Sequence, residues 1–171
     1  MVVISDTSPL TALLLADHTE LLRSLFHRVV IPPAVQRELL RAHTQLPPWI
    51  EVVSPRHIPT SIADGGLDAG ETEAIALALE LHPDTLLIDE RLGRRLAMKH
   101  GLSVTGLLGL LVLAKQHGLV EKVVPVIQEL QTKGELLVWP RSLAGCVHSS
   151  SRGMDLSMVP CLLWVPFRSP E

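Results

Sequence analysis

The sequence predicts an α/β fold, a three-layer α/β/α sandwich around a central parallel sheet. Three observations predict it. Short β-branched apolar runs alternate with helical patterns along most of the chain. Those runs, such as Val2-Val3-Ile4 and Leu86-Leu87-Ile88, are continuously apolar, as strands buried on both faces are. Prolines and glycines fall between the periodic segments. The length of 171 residues fits one domain with a sizeable core.

Each element has a local reason. Val2 to Ser5 reads as a buried strand, and Ser8-Pro9 supplies an N-cap and a proline at the first helical position for a helix through about Ala16. A short helix fits Glu20 to Phe26, and Val29 to Ile31 is the next strand. Pro33 opens a helix that carries Glu38 and runs to about Ala42. The proline-rich stretch from His43 to Asp64 predicts loop, with one strand at Glu51 to Val53. Asp68 and Glu71 are spaced as a capping box ahead of the apolar run Ala74 to Leu81. Thr85 to Ile88 is a strand, followed by a helix from Glu90 to His100 that Gly101 stops. Ser103-Val104 is a short strand, Leu107 to His117 a helix ended by Gly118, and Glu121 to Lys133 a last helix ended by Gly134. Glu135 to Trp139 predicts an edge strand. After Pro140 the periodicity stops, which divides the chain into a domain at 1–139 and an irregular extension at 140–171.

Composition narrows the function. Aromatic residues are 3% of the chain against 47% hydrophobic overall, so the core is aliphatic. A net charge of −3 is not the footprint of a strongly basic nucleic-acid binder, yet a carboxylate cluster offset by a bound cation would still permit nucleic acid. Cys146 and Cys161 make no zinc pattern, and the eight histidines form no HExxH grouping. Asp6 interrupts the first apolar run, so no signal peptide is expected, and no run is long enough to cross a membrane. These features predict a cytoplasmic protein without a membrane partner.

Ligand sites in open α/β sheets lie beyond the carboxyl ends of the strands. Asp6 and Asp89 each follow a strand directly, Glu38 lies in the helix after the second strand, and Glu73 lies one turn into the helix after Gly65-Gly66. Four carboxylates from four segments can converge there. Mg²⁺ and Mn²⁺ take hard oxygen ligands, and carboxylates around such an ion serve phosphoryl chemistry with a metal-activated water. Each acid also has a plain structural reading. Asp6 and Asp89 can cap the following helices, Glu38 can be solvated, and Glu71 is explained by its capping box. Glu73 interrupts an apolar pattern and is the harder one to explain as surface. Arg91, Arg94, Arg95 and Lys99 lie on the helix after Asp89, with Arg91 and Arg95 on one face, and arginine suits bidentate phosphate contact. A solvated basic face is the alternative, most of all for Lys99.

These residues resemble the PIN-domain family. Val3-Ile4-Ser5-Asp6-Thr7-Ser8-Pro9-Leu10 is similar to the DTSPL opening of one branch of it, and Gly70-Glu71-Thr72-Glu73-Ala74-Ile75-Ala76-Leu77-Ala78 to that branch's GExEAIxLA segment. Leu87 to Ala97 resembles the third motif, and Val104-Thr105-Gly106 with Leu110-Leu111 and Ala114-Lys115 the last. The resemblance spans about residues 1 to 138. It implies the same sandwich fold and Mg²⁺- or Mn²⁺-dependent cleavage of RNA. It assigns Asp6, Glu38, Glu73 and Asp89 as catalytic, metal-binding acids, with Glu71 as a further acid and Thr7 and Thr105 as hydroxyls near the ion; Arg91, Arg94 and Arg95, read from their own placement, are the candidates to contact RNA. Many relatives are VapC-like toxins of VapBC-type pairs, homodimeric and held inactive by a small antitoxin protein. Two departures stand out: Glu73 occupies a position where many PIN nucleases have aspartate, and the segment after Pro140 matches no motif. A haloacid-dehalogenase-like phosphatase would want an aspartate where Ser8 stands, and a receiver-type domain would want a second acid beside Asp6. A catalytically weak PIN fold kept as an interaction module is the non-enzymatic alternative.

Overall fold

A computed structural model describes residues 1–133. The chain order is β1 (Val2–Ser5), α1 (Thr7–Leu15), α2 (Glu20–Leu25), β2 (Arg28–Ile31), α3 (Pro33–Ala42), β3 (Ile50–Val52), α4 (Thr60–Ala63), α5 (Ala69–Leu81), β4 (Thr85–Leu87), α6 (Arg91–Lys99), β5 (Val104–Thr105), α7 (Leu107–Gln116) and α8 (Val123–Lys133). The five strands form one sheet in the order β3-β2-β1-β4-β5, and every pairing is parallel.

Continuous apolar strands follow from helices on both faces. Val3, Val29, Ile31 and Leu87 point into one core with Leu10, Leu13, Leu22, Val35, Leu39, Leu110 and Ile127 from α1, α2, α3, α7 and α8. Ile4, Val30, Leu86, Ile88 and Val104 point into the other with Ile62, Ile75, Leu77 and Ala97 from α4, α5 and α6. The expected α/β/α sandwich is therefore the observed one.

The topology creates the crevice. The chain builds β1, β2 and β3 outward on one side, then returns through α5 to place β4 and β5 on the other. Strand order reverses between β1 and β4, where α/β proteins open a ligand site beyond the strand ends. Asp6 and Asp89 are one and two residues past those strands.

Several local expectations shift. Helix α1 starts at Thr7, with Asp6 in the N-cap position, so Ser8 lies inside the helix and does not cap it. The Asp6 side chain makes no capping hydrogen bond. The loop expected from His43 to Asp64 holds the extra short helix α4, anchored by the fully buried Ile62. The capping box at Asp68 and Glu71 forms, with the Glu71 amide donating to Asp68 Oδ1 at 2.8 Å. His82 ends α5 in the left-handed conformation, a cap the sequence did not signal. The edge strand expected at Glu135 to Trp139 and the extension at 140–171 lie outside the described residues.

Candidate metal centre

The acids at the crevice divide into two groups with opposite surroundings. Asp6 extends the β1 pairing, its amide donating to the Leu87 carbonyl at 2.9 Å, and its side chain is 2% exposed. Its Oδ1 is buried without a hydrogen-bond partner. Burial pushes its carboxyl from the ordinary 3.8 up to about 7. The Thr7 backbone partly opposes that shift, and the charges of Asp68, Glu71 and Glu38 add to it.

Glu38 enters from α3, where Thr7 Oγ1 donates a hydrogen bond to its Oε2. Glu71 enters from the first turn of α5. It is 3% exposed, its Oε1 has no partner, and burial followed by the charge of Asp68 raises its carboxyl from 4.5 to about 7. Asp68, which the sequence explained as a cap, is thus also part of this acid group. So is Glu90, whose charge acts on Glu71. Gly70 lies in the middle. A β-carbon there would stand 3.1 Å from Glu38 Oε2, 3.1 Å from Thr7 Oγ1 and 3.3 Å from Asp6 Oδ1. Three oxygens from three elements therefore face one notch.

The second group has partners. Asp89 Oδ1 accepts the Leu107 amide at 3.0 Å and so caps α7 from outside that helix. Burial raises its carboxyl, while the Leu107 amide and the Arg94 guanidinium pull it back down. Arg94 is half-buried beside it, with Nη1 3.2 Å from where a Gly106 β-carbon would be. Arg91 and Arg95 are exposed, so the three arginines differ in exposure. Thr105 ends β5 with its hydroxyl against Gly109 in the first turn of α7.

Glu73 was expected beside Asp6, in preference to Glu71. The structure turns its carboxylate to the start of α3, where Oε2 accepts the Ala34 amide at 2.8 Å and Oε1 lies 3.5 Å from Arg37. The physical reason is that α3 opens on Pro32-Pro33 with no side-chain cap of its own, and Glu73 supplies the missing acceptor across the α3–α5 contact. Among the described residues no three His, Cys, Asp or Glu side chains stand close enough together to hold an ion. The expected quartet Asp6, Glu38, Glu73 and Asp89 is therefore not drawn into one cluster.

What remains still suits a hard divalent cation. The donors are two carboxylates and a hydroxyl, all oxygen, and Mg²⁺ is commonly held by one or two carboxylates while keeping its waters. The orphaned Asp6 Oδ1 and the notch at Gly70 are the observations that fit such an ion.

The family model DUF3368, described as a PIN domain, matches residues 2–143. No curated protein sequence and no solved structure matches the chain.

Proposed function

The chain belongs to the PIN-domain family, and on that premise we propose that it is an endoribonuclease whose Mg²⁺ or Mn²⁺ is held at Asp6 and Glu38. PIN domains are generally nucleases and typically use divalent ions. The observation that carries the proposal is the uncompensated charge at Asp6: a buried carboxylate oxygen without a partner, surrounded by other acids. Left alone, that arrangement opposes folding with both groups ionised. A cation reverses the balance.

A divalent ion bound there would polarise a phosphate oxygen and supply a water acidic enough to attack phosphorus near neutral pH. The protein's own part is positional. Asp6 Oδ1 and Glu38 Oε2 offer hard oxygens, and the Thr7 hydroxyl orients Glu38. Glu71 and Asp68 deepen the negative potential behind them. Asp89, held by Leu107 and Arg94, fixes the start of α7 on the far side of the crevice, near Thr105. Arg91 and Arg95, exposed on α6, are placed to take RNA phosphates. Glu73 serves as a strut for α3 in this reading.

The finer assignment, a VapC-like toxin acting as a homodimer and restrained by a small antitoxin, is supported by the DTSPL and GExEAIxLA series. The test is cleavage of RNA by the purified full chain with Mn²⁺, beside Asp6→Asn. Activity in the first and none in the second is expected. No cleavage by the wild type under any divalent ion would overturn the nuclease reading. Growth arrest on expression, relieved by Asp6→Asn, tests the toxin assignment. A second reading, the interaction module, is favoured by the lack of a three-acid group among the described residues, and the same assay decides between them.

A further inference from the structure

The backbone at Gly70 does not ask for glycine. It is the second residue of α5, and its φ is not positive, unlike that of Gly66, Gly101 and Gly118. Alanine is the better helix former at such a position. What Gly70 does provide is space. A methyl group there would crowd Asp6 Oδ1, Thr7 Oγ1 and Glu38 Oε2 together, each at 3.1 to 3.3 Å. Those three atoms come from the end of β1, the first residue of α1 and the middle of α3, so the notch is the point where three elements meet the fourth. Gly93 differs: a side chain there would strike Ile88 in the core as well as Glu71, so its smallness serves packing too.

We propose that Gly70 is a positioning residue that keeps the acid corner open, its missing side chain leaving the room in which Asp6, Glu38 and Thr7 can take one hydrated divalent cation. The inference rests on the metal-site reading above and names what gates that site. A methyl at the notch competes with the ion and its waters for that room, and presses the three oxygens outward. It adds no charge and removes no ligand.

The test is Gly70→Ala in the full chain, read by calorimetric titration with Mn²⁺ and by thermal melting in EDTA, with Asp6→Asn alongside. The expected result is Mn²⁺ affinity lowered by roughly tenfold or more, the size typical of disturbing a metal's supporting residues. The ion-free melting temperature should be no lower than the wild type's. Unchanged Mn²⁺ affinity in Gly70→Ala, with Asp6→Asn unable to bind, would overturn the role of Gly70 and leave the metal site standing. A lowered ion-free melting temperature would also overturn it, since glycine would then be serving the packing of α5. If the wild type itself takes up no Mn²⁺, the metal reading falls and this inference with it.

Discussion

Asp6 and Asp89 hold equivalent places in the sequence, each just past a central strand, yet the structure treats them oppositely. Asp89 is given a helix amide and an arginine. Asp6 is given a buried oxygen with no partner and three acidic neighbours. Both are desolvated, so burial alone does not separate them; compensation does. A fold that gives one strand-end aspartate a helix amide and a nearby cation, and leaves an oxygen of its neighbour without a partner, concentrates its electrostatic strain at one corner.

The sharpest way to break this contrast is Asp6→Asn. Cleavage should fall by more than the roughly 10- to 100-fold typical of outer-shell changes at metal sites. The same variant should melt higher than wild type in EDTA, because it removes a charge that the ion-free fold compensates only in part. A gain of about 4 °C or more is expected, since each kcal/mol moves a domain of this size by roughly 2–4 °C. Lost cleavage with a lowered ion-free melting temperature would mean that Asp6 is structural.

The pH dependence should carry the same sign. Asp6 titrates near its ordinary 3.8 in the unfolded chain and about 7 in the fold. Between those values the folded state holds more protons, so stability falls as pH rises through the window and levels off above it. Three pH units correspond to on the order of 4 kcal/mol at most. Melting scans in EDTA from pH 5 to 8 should therefore fall, and Mn²⁺ should restore stability chiefly at the upper end. A rising profile would contradict the strain.

Asp89 should respond in the other direction. Asp89→Ala leaves the Leu107 amide without its acceptor and removes the negative charge near the half-buried Arg94. A loss of roughly 1–3 kcal/mol is expected in denaturant titrations, with or without metal. Asp89→Asn can keep the amide bond and should lose less. Greater stability in Asp89→Ala would erase the difference from Asp6.

The sequence made the architecture legible because its signals are local. Continuous Val, Ile and Leu runs give buried parallel strands, and Pro33, Gly101 and Gly118 mark helix ends. The capping box at Asp68 and Glu71 formed as spaced. The placement of Asp6 past β1 was legible for the same reason. Which acids share a corner was not, because that depends on how α3 and α5 cross. Glu71 and Glu73 sit two residues apart on one helix, about 200° around its axis, so at most one can face Asp6. The apolar pattern around Glu73 favoured that residue, whereas in the structure its carboxylate accepts the Ala34 amide. The deciding fact was the uncapped start of α3 at Pro32-Pro33, which a neighbouring helix had to satisfy. Gly70 beside Glu71 was a signal that could have been used, since a glycine early in a good helix asks for a packing or functional reason.

That pair of glutamates supplies the smallest and most discriminating test. Glu71→Gln neutralises a buried oxygen that has no partner, so it should weaken Mn²⁺ binding several-fold while leaving the ion-free protein at least as stable. Glu73→Gln keeps an acceptor for the Ala34 amide but loses the exposed pairing with Arg37 and the negative charge at the start of α3. Its expected cost is about 0.5–1 kcal/mol, the usual scale of a charge at a helix N-terminus, with Mn²⁺ affinity unchanged. Paired titration and melting of the two variants would reverse the assignment if Glu73→Gln lost metal and Glu71→Gln did not. Two carboxylates on opposite sides of one helical turn would then have exchanged roles, and α3, not Asp6, would be the element that Glu71 serves.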